Sequence, residues 1–191
     1  MRLSDRVGTF TDSVIRRMTR INNQYDSINL SQGFPDFDPP QELLDALAKT
    51  AYNGPHQYAV TFGAQNFREA LAKKVRPALG REVDPNTEIC VTCGGTEAMM
   101  AAMMTLCNPG DKVMIFSPFY ENYGADAILS GAEPIYIPLV PPEYEFDLSL
   151  IEKGFREGAK ALILCNPSNP CGKVFRREEL EAIAKLAIQY D

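Results

Sequence analysis

From about residue 87 onward, short uninterrupted apolar runs alternate with stretches of helical periodicity, and this alternation limits the fold more than any other feature. Ile89-Cys90-Val91, Val113-Met114-Ile115-Phe116, Pro134 to Ile137 and Ala161 to Cys165 read as strands. Between and after them, Met99, Met100, Met103, Met104 and Cys107 recur at helical spacing, and helices are predicted over 120–130, 148–155 and 178–188, the last with Leu180, Ile183 and Ala187 inward. Asn108-Pro109-Gly110-Asp111 is a turn. A strand that is apolar along its whole length has no face for water, so these strands belong to a parallel sheet covered by helices on both sides. The predicted class is α/β. Sheets of this kind bind ligands in the loops at the carboxyl ends of their strands.

The earlier part of the chain reads as helical. Asp38-Pro39-Pro40-Gln41 is a helix start, with Asp38 as cap and Pro39 in the first turn, and Leu43, Leu44, Leu47 and Ala51 share one face. A further helix is predicted from Gln65 to Val75, with Phe67, Leu71 and Val75 stacked and Pro77 as its stop.

Composition removes several function classes. The 191 residues carry 19 basic and 25 acidic side chains, a net charge of −6, which argues against nucleic-acid binding. The longest nearly apolar stretch, 98–107, is too short to span a bilayer, and the arginine-rich start is interrupted by Asp5 and Asp12, so neither a membrane span nor a targeting peptide is expected. The single histidine, His56, removes most metal sites and most histidine-based triads. Five cysteines without framework spacing suit a reducing, cytoplasmic setting. Cys90 and Cys93, although spaced C-x-x-C, are expected to be buried small hydrophobes.

Three strand-end loops hold the possible chemistry. In Cys93-Gly94-Gly95-Thr96-Glu97 the paired glycines, a hydroxyl and a helix N-terminus make either a phosphate cradle or an ordinary tight turn. It is neither G-x-G-x-x-G nor a Walker loop, which disfavours a nicotinamide dinucleotide. Ser117 to Tyr123 offers aromatic rings for stacking on a planar ligand or for packing. Asn166 to Gly172 has two Asn-Pro pairs, which present an amide to a ligand oxygen or form a rigid turn, with room for a cis bond.

Four segments then become informative as a set: Ser31-Gln32-Gly33-Phe34-Pro35-Asp36-Phe37, Tyr58 to Gly63, Cys93 to Ala98, and Asn166 to Phe175. In this order they resemble the class I/II aminotransferases, pyridoxal-phosphate enzymes of fold type I, in the branch of aspartate, kynurenine and methionine aminotransferases. The resemblance implies a three-layer α/β/α large domain, its first half over residues 46–191, preceded by an N-terminal arm and small-domain segment over 1–45. It implies pyridoxal 5'-phosphate as cofactor and amino-acid and 2-oxo-acid substrates. Gly94, Gly95 and Thr96 would hold the phosphate, Tyr120 would stack on the pyridine ring, and Asn169 would reach its phenolic oxygen. Tyr58 would reach the cofactor phosphate of a second subunit, implying a homodimer, and Gly33 would flank the substrate carboxylate.

In the family, the lysine that anchors the cofactor and serves as base comes later, as do the aspartate at the ring nitrogen and the arginines for phosphate and substrate carboxylate. The chain ends at Asp191, about where the strand bearing that aspartate is expected to begin. The resemblance therefore implies the first half of an aminotransferase, with no catalytic residue of its own and no transamination when alone. A non-catalytic dimerising fragment and a carbon–sulfur lyase are the alternatives. Lys173 is expected to be a surface charge, Cys171 stands where threonine is common, and Arg176 replaces a helix-capping Ser or Thr at a cost of about 1 kcal/mol at most.

Overall fold

Val113 to Phe116 form the middle of the sheet, each no more than 5% exposed, because their side chains alternate between two helical layers. The computed structural model describes residues 3–9, 12–54 and 56–190, which fall into two compact units. One comprises residues 12–92; the other comprises residues 93–191 with the first eleven.

The unit from residue 93 contains α4 (Gly94–Leu106), β1 (Lys112–Ser117), α5 (Asn122–Ser130), β2 (Glu133–Pro138), α6 (Leu148–Arg156), β3 (Ala159–Ile163) and α7 (Arg177–Gln189). The strands are parallel in the order β2-β1-β3, with Met114 opposite Ile135 on one side and Leu162 on the other. Met114 and Phe116 point into a cluster with Ile137, Ile151 of α6, Phe175 and Ile183 of α7. Val113 and Ile115 point the other way, onto Met103 of α4 and Ala127 of α5. The two-residue period of a strand thus feeds one core to each helical layer, and the predicted α/β class holds. In α6, Gly154 lets the helix lie close to the sheet: a Cβ there would sit 2.3 Å from the Met114 sulfur. A 3-10 turn over Asp5–Thr9 lies against α5, where Arg6 donates to the Leu129 carbonyl at 3.0 Å.

The other unit contains α1 (Val14–Tyr25), α2 (Gln41–Asn53) and α3 (Gln65–Leu79). Several expectations need correction here. Asp38 does not cap α2, which starts after Pro40 without a side-chain cap. Pro77 lies inside α3, which runs on until Gly80 closes it in the left-handed region. Pro77 falls in the last turn, where only one intrahelical bond is lost. Residues 89–91 are not a strand, and Cys90 and Cys93 are exposed rather than buried. A strand exists only through its ladder, and the bond from Val91 N–H to the Phe62 carbonyl, 3.0 Å, leads to a turn and not to a sheet. Helix α1, whose Ser13 cap accepts from the Arg16 N–H, was not expected from sequence.

Asp126, on the inner side of α5, is 5% exposed, and nothing among the described residues donates to its Oδ2. Burial pushes its carboxyl above the ordinary range. A group with a raised folded pKa favours folding below the ordinary carboxylate range, and that contribution is lost as pH rises through the folded value. Asp126→Ala is therefore expected to gain about 1–2 kcal/mol at pH 7 and much less at pH 3. Urea unfolding at the two pH values checks this; an equal gain at both would remove the buried charge as the cause.

Candidate cofactor site

The loops after β1 and β3 leave the sheet toward opposite layers: the first leads into α5, packed with Val113 and Ile115, and the second into α7, packed with Met114 and Phe116. Neighbouring parallel strands whose following segments diverge in this way leave a crevice at their carboxyl ends. Here it is a small pocket, with room for about one water, lined by Pro118, Phe119, Tyr123, Cys165, Ser168 and Asn169.

Helix α4 brings the first loop to the same unit. Its N-terminal N–H groups, those of Gly95 and Thr96 among them, lack carbonyls one turn back, as in any helix. Within 4 Å of where a Cβ would sit on Gly94 or Gly95 there is no atom, so both glycines face open space. The Glu97 carboxylate folds back to accept from the Cys93 N–H. The Thr96 hydroxyl accepts from the Asn122 side-chain amide at 2.9 Å, which ties the start of α4 to the start of α5.

The aromatic loop is held from below. Tyr120 meets Tyr123 edge-on, with centroids 5.7 Å apart, and both are half-buried. The adjacent Cys165 side chain and burial push the Tyr123 hydroxyl up to about 12, so it stays protonated across the physiological range. Cys165 in turn donates to the Pro167 carbonyl at 3.3 Å. Cys165, which lines the same pocket as Tyr123, thus ties the end of β3 to the Asn-Pro loop. The Ser117-Pro118, Asn166-Pro167 and Asn169-Pro170 bonds are cis.

Of the predicted site residues, Gly94, Gly95, Thr96, Tyr120 and Asn169 all belong to this unit, at the strand ends or the start of α4. Tyr58 and Gly33 belong to the other unit, and both are exposed. The segment carrying Tyr58 closes in a turn, with the Gly63 N–H donating to the Val60 carbonyl at 2.8 Å. Gly63 has φ +104°, and a Cβ would lie 2.5 Å from a Val91 methyl, so this turn requires glycine. Buried Arg68 supports it by donating to the Gly63 and Pro85 carbonyls. Glu97, Asn122 and Tyr123 were read from sequence only as members of their loops and Cys165 only as the end of a strand, without the contacts they make. Only Glu97, four residues after Cys93 on a helix start, had a spacing that could have marked it.

The family model "Aminotransferase class I and II" matches residues 25–191. The chain belongs to the class I and II aminotransferases. It is 35% identical over 185 residues to a probable N-succinyldiaminopimelate aminotransferase of Mycobacterium tuberculosis, which covers 96% of this chain and 47% of that protein. It is 36% identical to human kynurenine–oxoglutarate transaminase 1 over 90% of this chain and 44% of that protein. A structure of a methionine aminotransferase from Escherichia coli superposes with a TM-score of 0.91 at 33% identity, over 99% of this chain and 50% of that one. The chain spans about half the length of these class I and II aminotransferases. Solved structures of an N-succinyldiaminopimelate aminotransferase and an aspartate aminotransferase share its fold as well.

The donor set suits the cofactor that this family uses. A phosphate dianion takes backbone N–H and hydroxyl donors at a helix N-terminus, and two glycines leave it room there. An aromatic loop and an exposed amide lie at the ends of the adjoining strands. No metal-binding cluster of His, Cys, Asp and Glu occurs among the described residues.

Proposed function

We propose that the whole protein transfers an amino group from an L-amino acid to a 2-oxo acid with pyridoxal 5'-phosphate. The observation that carries this reading is the Asn122–Thr96 bond, which joins the anion-ready start of α4 to the aromatic loop in one frame. In this reading the N–H groups of Gly94, Gly95 and Thr96, with the Thr96 hydroxyl, hold the phosphate. Tyr120 covers one face of the ring and excludes water from it. The Asn169 amide donates to the phenolic oxygen and favours its ionised form. When bound, the cofactor supplies the electron sink that lets an α-proton leave.

Gly33 flanks the substrate carboxylate, and Tyr58 reaches the phosphate held by a second copy, so the working state is a homodimer. The chain divides into an arm and small-domain segment over 1–45 and a large-domain half over 46–191. Its five free thiols support a reducing cytoplasmic setting, and among the described residues no helix is long and apolar enough to cross a membrane. In this reading the 191 residues alone do not transaminate, because none of them takes the place of the family's anchoring lysine.

The test has two parts. The protein isolated from its native cells is supplied with amino acids and 2-oxoglutarate; formation of glutamate and a new 2-oxo acid in equal amounts is the expected result. Pyruvate and ammonia would replace the transaminase with a lyase. The 191-residue chain, given the same substrates, is expected to form no glutamate, and turnover by it would overturn the half-enzyme reading.

A further inference from the structure

Lys173 is not the surface charge that its position after an Asn-Pro turn suggests. Its side chain is 5% exposed, and its ammonium lies 3.0 Å from Oε1 of Glu179, itself 11% exposed. The ammonium also faces the rings of Phe175 and Phe146, at 5.1 and 5.8 Å from their centroids. The second Glu179 oxygen accepts from the Arg176 N–H at 2.7 Å, so one carboxylate serves both the lysine and the first turn of α7. Burial alone would push the Glu179 carboxyl up; the Arg176 N–H and the Lys173 ammonium outweigh it and hold the carboxyl below its ordinary range.

The main chain of Lys173 closes the loop in front of this pair. Its carbonyl accepts from the Ser168 N–H at 2.8 Å, and the Ser168 carbonyl accepts from the Gly172 N–H at 2.8 Å. Around this inner ring, the Phe175 N–H donates to the Asn166 side chain at 3.0 Å. Asn169 stands at the exposed tip of the ring, and its side chain has no hydrogen-bond partner among the described residues. Its direction is therefore set by the frame behind it. A buried ion pair is a weak source of stability compared with apolar side chains of similar volume, since desolvation offsets most of the attraction. What it does supply is directional: an ammonium and a carboxylate fix each other's place, and here one partner is the foot of the loop.

We propose that Lys173 and Glu179 are positioning residues for Asn169, and that their ion pair holds the loop which aims this amide at the carboxyl ends of β1 and β3. The role of Asn169 toward a phenolic oxygen rests on the function proposed above; the control of loop geometry does not.

Lys173→Met alone leaves the buried Glu179 carboxylate with only the exposed Arg176 guanidinium, 3.4 Å from Oε1, and can lose the fold. The decisive variant is therefore Lys173→Met/Glu179→Gln, in which the glutamine still accepts from Arg176 but no buried charge remains. In the ligand-free chain, amide hydrogen exchange at Ser168 and Gly172 is expected to speed up at least about tenfold, with the β1 amides unchanged. Unchanged exchange at these two amides in the folded variant would overturn the proposal.

A second readout uses pyridoxine 5'-phosphate, which lacks the aldehyde and cannot condense with lysines. Its bound phenol is expected to ionise about one pH unit higher in the double variant, as in Asn169→Ala, with inorganic phosphate binding unchanged; Lys173→Arg should restore the wild-type value. A wild-type value in the double variant would overturn the link to Asn169. Failure of the wild-type chain to bind the probe would count against the cofactor reading, and the exchange result would still decide the loop.

Discussion

Phe116→Ala is expected to destabilise the chain by about 3–5 kcal/mol. Phe116 is 5% exposed on the central strand, and its ring meets those of Phe146 and Phe175 at 5.2 and 5.0 Å. Truncation removes apolar burial from the cluster that joins β1 to the loop before α7, and a parallel strand hydrogen-bonded on both sides cannot collapse to fill the gap. Urea unfolding followed by circular dichroism checks this, with the dependence on urea unchanged. A loss below about 1 kcal/mol would mean that the two helical layers hold without this aromatic contact.

Gly95→Asp is expected to separate folding from binding. An acidic residue in the first turn of a helix is favourable by about 0.3–1 kcal/mol, and no atom lies within 4 Å to oppose its Cβ. The variant should therefore melt no lower than the wild type. The same carboxylate would stand where a phosphate dianion has to sit, so affinity for pyridoxal 5'-phosphate should fall about a hundredfold, near 2.8 kcal/mol. Calorimetric titration beside a thermal melt reads both quantities. Retained affinity in the stable variant would show that the start of α4 is not the anion site.

The glycine-rich start of α4, the aromatic loop and the Asn-Pro loop were legible in sequence as segments because each is a local pattern: paired glycines before a helix, rings after a strand, prolines around an amide. The couplings between them were not. Asn122 reaches Thr96 across 26 residues, and Tyr123 meets Cys165 only because β1 and β3 are neighbours. The lost strand at 89–91 is the opposite case, in which an apolar run satisfied the local pattern but found no ladder. Lys173 was misread for a similar reason: its partner is six residues away in sequence, but the rings that bury it come from Phe146 and Phe175.

By itself, the sequence determined the α/β class and the family, because apolar alternation dictates which layers can form and four motifs in order are specific. Only the tertiary structure decided which strand is central, which face of it each helix covers, and which charge is buried. Those outcomes depend on contacts between segments far apart in the chain, and no local propensity encodes them.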